Sequence, residues 1–231
     1  MPAAVRAADG PRLVVFDFDG TLVDSQHMII EAMARAFAGL RLPAPADDRV
    51  RRQIGLPLDQ VIERLAPDEP SERRGRLVEG YKQAFFELRQ RPDHHEPMFP
   101  GALAALDALA AGGVQLGIAT GKGRRGLMFM IERLGLGERF ATLQSADDAP
   151  GKPHPGMLMN AMSATGAGPA DTVMIGDTSF DMAMAVNAGV RGIGVAWGYH
   201  PVDELARAGA SSIVARFDEV PPAVFADEAR R

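Results

Sequence analysis

The sequence predicts an α/β fold, a Rossmann-like doubly wound and mainly parallel sheet with an inserted α-helical domain. Three observations predict it. Short apolar runs alternate with amphipathic helical patterns, acidic or glycine-bearing turns follow several of those runs, and one stretch of about 70 residues holds no strand pattern. The chain has 231 residues, 46% of them hydrophobic and 24% charged, which is typical of a folded globular protein.

The strand runs come in a regular order along the chain. The first, Arg12–Phe16, is apolar and ends in the turn signal Asp17-Phe18-Asp19-Gly20. Similar runs cover 114–119, 172–175 and 192–196, a weaker one covers 140–144, and 212–214 is an expected edge strand. Because these runs lack alternation, they fit parallel strands that are buried on both faces.

Helical patterns lie between the strand runs. One of them places Leu103, Leu106 and Leu109 together, and we expect these leucines to share the buried face of a helix. Strand and helix alternating at this spacing predict a sheet that carries helices on both faces.

The stretch from residue 25 to 95 departs from this alternation. It holds several amphipathic helical patterns separated by prolines, and no strand run. We therefore predict two domains, a core made of residues 1–24 and 96–231 and a helical domain of residues 25–95 inserted into it. His94 and His95, at the far boundary, are expected to be linker residues rather than a metal pair.

Composition excludes several classes of function. The chain has no Cys, which excludes disulfide scaffolds, thiolate metal sites and a cysteine nucleophile, and suits a reducing compartment. A net charge of −5 makes a nucleic-acid binder driven by bulk charge an unfavoured interpretation. Residues 1–9 lack the apolar stretch of a signal peptide, and no run is apolar enough to span a membrane. We expect a cytoplasmic protein with no membrane or nucleic-acid partner; the sequence does not indicate an oligomeric state.

Acidic residues follow two of the predicted strands. Asp17 and Asp19 end the first strand, and Asp177 and Asp181 follow the strand at 172–175. Side chains two residues apart on a strand point to one side, and paired carboxylates repel each other unless they share a cation or a proton. Mg²⁺ prefers such oxygens. The alternative for each pair is a turn or helix-cap role, with Asp181 as a helix N-cap.

Two further candidates lie at the remaining strand ends. Thr120-Gly121 closes the run 114–119 before a helix, where a hydroxyl and backbone N–H groups can receive an anion. Lys152 lies between Gly151 and Pro153 and offers a cation for the same anion. The alternatives are a helix cap for Thr120 and an exposed loop cation for Lys152.

These residues carry a resemblance to a known family. The string from Val15 to Ser25 resembles the first motif of the haloacid dehalogenase-like hydrolase superfamily, Thr120 its second, Lys152 its third, and Asp177 with Asp181 its fourth. The helical insert is similar to the family's cap, and the chain looks most like the phosphoglycolate phosphatase group. Gly121 is a departure, since Asn often follows the threonine of motif two; the phosphate contact there is largely through the backbone.

The resemblance implies a phosphatase that hydrolyses a small phosphate monoester, phosphoglycolate or a sugar phosphate, through an aspartyl-phosphate. Asp17 would be the nucleophile and Asp19 the general acid and base. Thr120, the Gly121 N–H and Lys152 would hold the phosphoryl oxygens.

The resemblance also implies a magnesium ion. Its ligands would be the carboxylates of Asp17 and Asp177 and the backbone carbonyl of Asp19. Asp181 would lie one step outward, where it orients either metal-bound waters or Lys152.

Substrate choice is expected to depend on the helical cap and a basic loop. Arg51, Arg52 and Gly55 are the candidates for contact with the leaving group. The basic residues Lys122, Arg124 and Arg125 either touch a second anionic group or are solvated cations at a helix start. Trp197 and Tyr199 follow a strand end and either border the crevice or pack in the core.

Other functions remain open at this point. A sugar-phosphate mutase and a pyrophosphatase would use the same core chemistry, whereas a dehalogenase lacks the acid that Asp19 supplies. Residues 121–126 spell GxGxxG between a strand and a helix, and Asp147 lies near the distance of a ribose-binding acid, so an NAD-dependent oxidoreductase is a distant alternative. A non-catalytic interaction module would leave the acidic residues and Lys152 unexplained.

Overall fold

A computed structural model of the chain describes residues 12–226. The stretch 1–9, on which the expectation about a signal peptide rests, and the outer ends of the predicted core domain lie outside these residues. Within them lies a sheet of six strands, all parallel, in the order β3-β2-β1-β4-β5-β6. The strands are β1 Leu13–Phe16, β2 Gln115–Ala119, β3 Thr142–Gln144, β4 Thr172–Gly176, β5 Arg191–Val195 and β6 Ser212–Val214. The predicted fold class is confirmed.

Strand β1 occupies the centre of the sheet. Its last residue, Phe16, is in register with Ile118 of β2 on one side and with Ile175 of β4 on the other. From β1 the chain first adds strands on one side, β2 and β3, and then on the other, β4 to β6, so the strand order reverses at β1. Ligands of open parallel sheets bind at such a reversal, beyond the carboxyl ends of the strands. The acidic turn after β1 therefore lies where this architecture places a site.

Ten α-helices accompany the sheet in the described part of the chain. Five of them lie between β1 and β2, and the other five follow β2, where they alternate with strands. They are α1 Gln26–Gly39, α2 Asp47–Arg51, α3 Leu58–Leu65, α4 Ser71–Arg89, α5 Ala102–Ala111, α6 Arg124–Arg133, α7 Gly156–Thr165, α8 Ser179–Asn187, α9 Val202–Arg207 and α10 Val220–Phe225.

Both faces of the sheet are covered. Val14 and Phe16 point into an apolar cluster that includes buried residues of α5, α6 and α10. Leu13 and Val15, the alternate residues of the same strand, point into a second cluster with residues of α7 and α8. Because successive side chains of a strand point to opposite faces, an all-apolar β1 requires this double cover.

One expectation about the helices is wrong. In α5 the buried residues are Ala102, Ala105, Leu106 and Leu109, whereas Leu103 is 44% exposed. At about 100° per residue, positions six apart lie on different sides of a helix, so Leu103 and Leu109 do not share a face.

Helices α1 to α4 form a unit with its own apolar cluster. Met33, Ile62 and Leu77 are fully buried in it, and helices α1 and α4 pack along each other. Residues before α1 and after α4 lie side by side, since the Asp24 N–H donates to the carbonyl of Pro97 at 2.9 Å. Among residues 12–226, no helix combines the length and apolar character needed to cross a membrane.

Candidate active site

Asp17 lies at the carboxyl end of β1 with its side chain fully buried. Its Oδ1 accepts a hydrogen bond from the Phe18 N–H at 2.6 Å, and its Oδ2 lies 2.7 Å from the ammonium of Lys152. Burial, first, and the nearby carboxylates of Asp181 and Asp177 raise the pKa of Asp17 well above its usual value, while the Lys152 ammonium opposes that shift. The site therefore brings together a buried carboxylate and a matched cation.

Lys152 is a buried bridge between two carboxylates. Its Nζ lies 2.7 Å from Asp17 and 2.6 Å from Asp181 Oδ1, and the whole side chain is inaccessible to solvent. Although burial alone lowers an ammonium pKa, the two carboxylates outweigh it and raise the pKa of Lys152 above its usual range. The alternative of an exposed loop cation is wrong.

Asp181 is held by the start of helix α8. Thr178 is the N-cap, and the Asp181 side chain completes a capping box by accepting from the Thr178 N–H at 3.0 Å and hydroxyl at 2.6 Å. The alternative that made Asp181 itself the N-cap is wrong by one helical turn. Because one oxygen is bound to the cap and the other faces Lys152, Asp181 fixes the position of that ammonium.

Asp177 follows β4 and faces Asp17. Its Oδ1 accepts from the Thr21 hydroxyl at 2.7 Å and its Oδ2 from the Tyr199 N–H at 2.9 Å. The backbone at Gly20 passes so close that a Cβ there would collide with the Asp177 carboxylate, and its φ of 85° also requires glycine. Burial, followed by the charge of Asp181, raises the pKa of Asp177 to about 7.

The three buried carboxylates can hold a metal ion. One oxygen from each of Asp17, Asp177 and Asp181 lies within 4.8 Å of the others. A single ammonium, that of Lys152, faces three carboxylates, so two negative charges are in excess when all are ionised. Burial of such an excess is costly without a cation, and an all-oxygen set suits a hard divalent ion. The residues present therefore fit a divalent metal.

Asp19 lies apart from this carboxylate group. Its Oδ1 accepts from the Ser25 hydroxyl at 2.6 Å and lies 3.1 Å from the Lys122 ammonium. The Asp19 carboxylate is not in the three-residue metal group. The metal role predicted for Asp19 is therefore left to its backbone carbonyl. The side chain instead borders the large cavity described below.

Thr120 and Gly121 directly follow strand β2. Thr120 is buried, and its hydroxyl accepts from the Lys122 N–H at 3.2 Å, so it caps the turn. A Cβ on Gly121 would lie 2.5 Å from the Gly55 carbonyl oxygen. This position has glycine, whereas the family that the chain resembles often has asparagine there. The glycine has a structural cause, because a side chain at this position would collide with the loop that contains Gly55.

Gly55 belongs to the loop between α2 and α3 that covers the site. A Cβ on Gly55 would lie 3.3 Å from the Thr178 side chain and 3.8 Å from Asp17 Oδ2. Pro57, two residues on, packs directly against Gly151 beside Lys152. The loop that holds Gly55 therefore lies against residues of the site, and its predicted contact with a leaving group stays a prediction.

Arg52 is not brought to the site. Its side chain is 46% exposed, lies 2.5 Å from Glu204 of α9, and is not among the described residues that line the cavity. Arg51 turns the other way and donates to Gln26 at 2.8 Å. The structure thus corrects the expectation for Arg52: the turn after α2 directs its side chain outward, away from the leaving-group space.

The basic loop after β2 divides into three roles. Lys122 is largely buried beside Asp19 and over the ring of Phe85, so its description as a solvated cation is wrong. Arg124 pairs with Asp148 at 2.7 Å. Arg125 is exposed and lies over the ring of Phe86.

The GxGxxG segment has a structural explanation of its own. The Asp147 carboxylate accepts from the Arg124 N–H at 2.7 Å and so binds the start of helix α6. That is where a dinucleotide fold would place its pyrophosphate, and the acid assigned to a ribose is used up as a helix cap. This contact argues against the oxidoreductase alternative.

The contacts that several residues make in the site were not predicted from the sequence, although the residues themselves were noted there. Tyr199 supports the site through its backbone N–H on Asp177 and through its hydroxyl, which accepts from the Ser25 and Gln26 N–H groups at 3.1 and 3.2 Å. Trp197, by contrast, donates to the Thr21 carbonyl and stacks on Phe217. Thr21 and Ser25 stand within the motif string, but only the three-dimensional contacts reveal their partners.

A cavity of about 780 Å³ opens from Asp19 beneath helices α1, α3 and α4. Its walls include apolar and aromatic side chains that no motif marks, among them Met33, Tyr81 and Phe85. His94, expected to be a linker residue, is buried near this region with its Nε2 2.9 Å from Glu96. The cavity gives the buried acids an adjoining space for a ligand.

Comparison with known proteins agrees with this geometry. Residues 14–195 match the family model described as haloacid dehalogenase-like hydrolase. The chain is 39% identical to "Probable phosphatase IndB" of Dickeya dadantii over 93% of this chain and 94% of that protein. It is 30% identical to a phosphoglycolate phosphatase of Yersinia pseudotuberculosis, over 92% and 93% of the two chains.

Solved structures agree on the fold. A hydrolase from Pseudomonas syringae superposes with a TM-score of 0.82 and 28% identity, covering 93% of this chain and 97% of the other. A haloacid dehalogenase-like protein from Bacteroides fragilis, at 23% identity, gives a TM-score of 0.84 over 91% and 99% of the two chains.

Proposed function

The chain belongs to the haloacid dehalogenase-like hydrolase family and is a phosphatase of that family, and on this premise we propose its reaction. It hydrolyses a small phosphate monoester, the class that includes phosphoglycolate and sugar phosphates, with Mg²⁺ and through an aspartyl-phosphate on Asp17. The observation that carries this proposal is the position of Asp17, buried at the end of the central strand between the ammonium of Lys152 and the carboxylate of Asp177.

Asp17 is the nucleophile. A carboxylate oxygen attacks phosphorus, an Asp17–phosphorus bond forms, and the bond from phosphorus to the leaving oxygen breaks. The Lys152 ammonium at 2.7 Å opposes the effect of burial and favours the ionised form of Asp17 that attack requires. Asp181 holds that ammonium at 2.6 Å and acts on the reaction only through Lys152.

Asp19 is the general acid and base. In the first step its proton goes to the leaving oxygen, and in the second the resulting carboxylate takes a proton from the water that attacks phosphorus and releases phosphate from Asp17. Such assistance contributes about 10²–10⁴-fold. Asp19 suits this role because it faces the cavity, where a leaving group would lie, and because Ser25 and Lys122 hold it in place.

The phosphoryl oxygens are held by groups at the end of β2 and by Lys152. The Thr120 hydroxyl, the Gly121 N–H and the Lys152 ammonium stabilise the charge on those oxygens in the transition state. Fixed donors in a site that excludes water do this with little reorganisation.

A magnesium ion completes the site. The Asp17 and Asp177 carboxylates and the Asp19 backbone carbonyl would hold it, and it would supply positive charge for the phosphoryl oxygens and for the excess of buried carboxylate. Asp181 belongs to the same group of three carboxylates, but we assign it to Lys152, whose ammonium lies 2.6 Å from its Oδ1, so that it acts one step outside the metal.

The helical unit is proposed to be a cap domain of residues 25–95 on a core of residues 1–24 and 96–231. The separate apolar cluster of α1 to α4 and the close approach of Gly55 and Pro57 to the core loops support this division. A closed cap excludes water from the reacting groups. A cytoplasmic location belongs to the same proposal, supported by the absence of cysteine.

The experiment is an assay of inorganic phosphate released from p-nitrophenyl phosphate and phosphoglycolate. We expect turnover that EDTA abolishes and Mg²⁺ restores, and its loss in Asp17→Asn. Asp203→Asn, the same change at an exposed carboxylate on α9, is the matched control and should retain activity. Turnover by Asp17→Asn at the wild-type rate would overturn the proposal, and an isomerised ester in place of free phosphate would indicate a mutase.

A further inference from the structure

The cavity beside Asp19 is larger than a two-carbon substrate needs. Its volume of about 780 Å³ lies within the range of about 300–1,000 Å³ that is typical of pockets for drug-sized ligands. It begins at the buried Asp19 and ends at an exposed rim formed by Phe86 and Arg125. A phosphorylated two-carbon acid would occupy only the end nearest Asp19.

The walls of the cavity are mostly apolar. Helices α1, α3 and α4 contribute aliphatic side chains, and aromatic rings come from α4 and α6. The aliphatic residues include Ile29, Met33, Val61 and Val78, and the aromatic residues are Tyr81, Phe85, Phe86 and Phe129. Such a lining gains free energy from contact with an apolar ligand and offers few partners to a polyhydroxylated one.

The cations deep in the cavity already have acidic partners. The Arg89 guanidinium lies between the rings of Phe85 and Phe129, at 4.5 and 4.6 Å, and 3.4 Å from Glu96. Lys122 faces Asp19 at 3.1 Å. The Arg89 charge is therefore already paired with a carboxylate other than the catalytic Asp19.

Charge at the rim is mixed. Arg125 has no carboxylate at ion-pair distance among residues 12–226, and its guanidinium lies 5.7 Å from the Phe86 ring centre. Asp59, Asp147 and Lys82 also line the cavity, and Lys82 is paired with Glu79 at 2.8 Å. The rim thus provides no strong preference for either sign, and the apolar walls dominate recognition.

We propose that the leaving group is a bulky apolar alcohol of at least ring size, so that the preferred substrates are phosphate monoesters with an aromatic or branched apolar body. This inference rests on the proposed function, since it assigns the cavity to the leaving group of the same reaction. Within the proposed class of phosphate monoesters, phosphoglycolate is then hydrolysed with a lower kcat/KM than an ester of such an alcohol, because it leaves most of the apolar wall without contacts.

The test compares kcat/KM of the Mg²⁺-loaded enzyme for 3-phenylpropyl phosphate, ethyl phosphate and phosphoglycolate. The first two release primary alcohols of similar reactivity, so their ratio reports the fit of the alcohol body. We expect 3-phenylpropyl phosphate to exceed each of the other two by at least about tenfold, as apolar pockets discriminate by such factors. Equal values, or a preference for phosphoglycolate, would overturn the inference while leaving the phosphatase assignment intact.

Variants of the wall locate the effect. Val78→Phe narrows the cavity and should lower kcat/KM for 3-phenylpropyl phosphate at least tenfold, with ethyl phosphate within about twofold. Val202→Phe makes the same change at an exposed position outside the cavity lining and should change neither value.

A second variant tests the same inference in case Val78→Phe does not fold. Phe86 is 48% exposed at the rim, so Phe86→Ala should fold. It should lower kcat/KM for 3-phenylpropyl phosphate several-fold and leave kcat/KM for ethyl phosphate unchanged. Equal effects of these wall variants on both esters would overturn the inference. Failure of the wild-type enzyme to release phosphate from any of the esters would instead count against the proposed function itself.

Discussion

Gly121 lies directly beneath the carbonyl group of Gly55, so that a methyl group on Gly121 would come within 2.5 Å of that oxygen. One residue belongs to the loop after β2 and the other to the helical unit above it. Real Cβ atoms do not approach this closely, so the fit of the two loops depends on the missing side chain. The contact couples the position of the helical unit to the groups at the end of β2.

Gly121→Ala tests this coupling. The added methyl must push the two loops apart, and a displacement of about 1 Å at a site can cost about 10²-fold in rate. We expect kcat/KM for p-nitrophenyl phosphate to fall at least about tenfold. Gly123→Ala is the matched control, because its Cβ would meet Asp147 at an ordinary 3.5 Å. Full activity in Gly121→Ala would mean that the close fit has no functional role.

Lys152→Met tests the buried ion bridge. The change leaves Asp17 and Asp181 buried without their cation, and breaking a buried pair in this way costs about 3–5 kcal/mol in the free energy of unfolding. Denaturant unfolding of the metal-free protein measures it. An unchanged free energy of unfolding would contradict the bridge.

The same variant has a predicted pH dependence. Without the ammonium, the pKa of Asp17 rises further above its usual 3.8. A carboxyl group whose pKa is raised by folding stabilises the protein at low pH and loses that contribution as pH rises through the folded-state pKa. The deficit of Lys152→Met should therefore be larger at pH 8 than at pH 5, and Lys152→Met with Asp181→Asn should recover part of it.

A comparison of Arg52→Ala with Lys122→Met tests which cation serves the reaction. Arg52 forms an exposed ion pair with Glu204, and such pairs contribute about 0.2–1 kcal/mol, so its removal should leave kcat and KM unchanged. Lys122 lies 3.1 Å from Asp19 and helps to hold it in place, so its removal should lower kcat about tenfold, less than the factor of about 10²–10⁴ that a general acid or base itself contributes. Steady-state kinetics measures both, and the reverse order would refute the assignment.

His200 should make stability depend on pH. Its Nδ1 accepts from the Ser179 N–H at 3.2 Å and its Nε2 donates to the Arg52 carbonyl at 3.1 Å, so the buried ring is neutral. Burial is the main cause that lowers the pKa of His200 below its ordinary 6.5. The hydrogen bond to the Arg52 carbonyl and the charges of Asp181 and Glu204 oppose this shift, while the charge of the Arg52 guanidinium adds to it. The unfolded chain then binds the proton first, and stability is lost as pH falls below 6.5 toward the folded-state pKa.

His200→Gln should reduce that loss. The free energy of unfolding at pH 8 and pH 5 is measured for the wild type, for His200→Gln and for His95→Gln, the control at an exposed histidine. A wild-type pH dependence that persists unchanged in His200→Gln would assign it to other groups.

The sequence predicted the sheet because its signals are local. An apolar run such as Val14 to Phe16 needs cover on both sides, and Asp17 must then stand at its carboxyl end. The prediction that Leu103 shares a buried helix face with Leu109 was wrong, because three leucines at a spacing of three residues do not define which side of the helix is buried. Element identity was therefore predictable, and the buried face of α5 was only partly so.

The site was predictable where motifs stand in order and unpredictable where distant loops meet. Asp17, Lys152 and Asp181 come together as expected. The direction of the Arg52 side chain and the closeness of Gly55 to Gly121 depend on how the helical unit sits on the sheet, which no local pattern encodes.

The aspartyl-phosphate mechanism is tested most simply by a search for the covalent intermediate on Asp17. The Mg²⁺-loaded enzyme is mixed with saturating p-nitrophenyl phosphate, quenched in acid within the first turnover, digested, and analysed by mass spectrometry. We expect a phosphoryl group on the peptide that contains Asp17, and none on that peptide in Asp17→Asn. Rapid turnover with that peptide unmodified throughout, together with activity in Asp17→Asn, would contradict the mechanism.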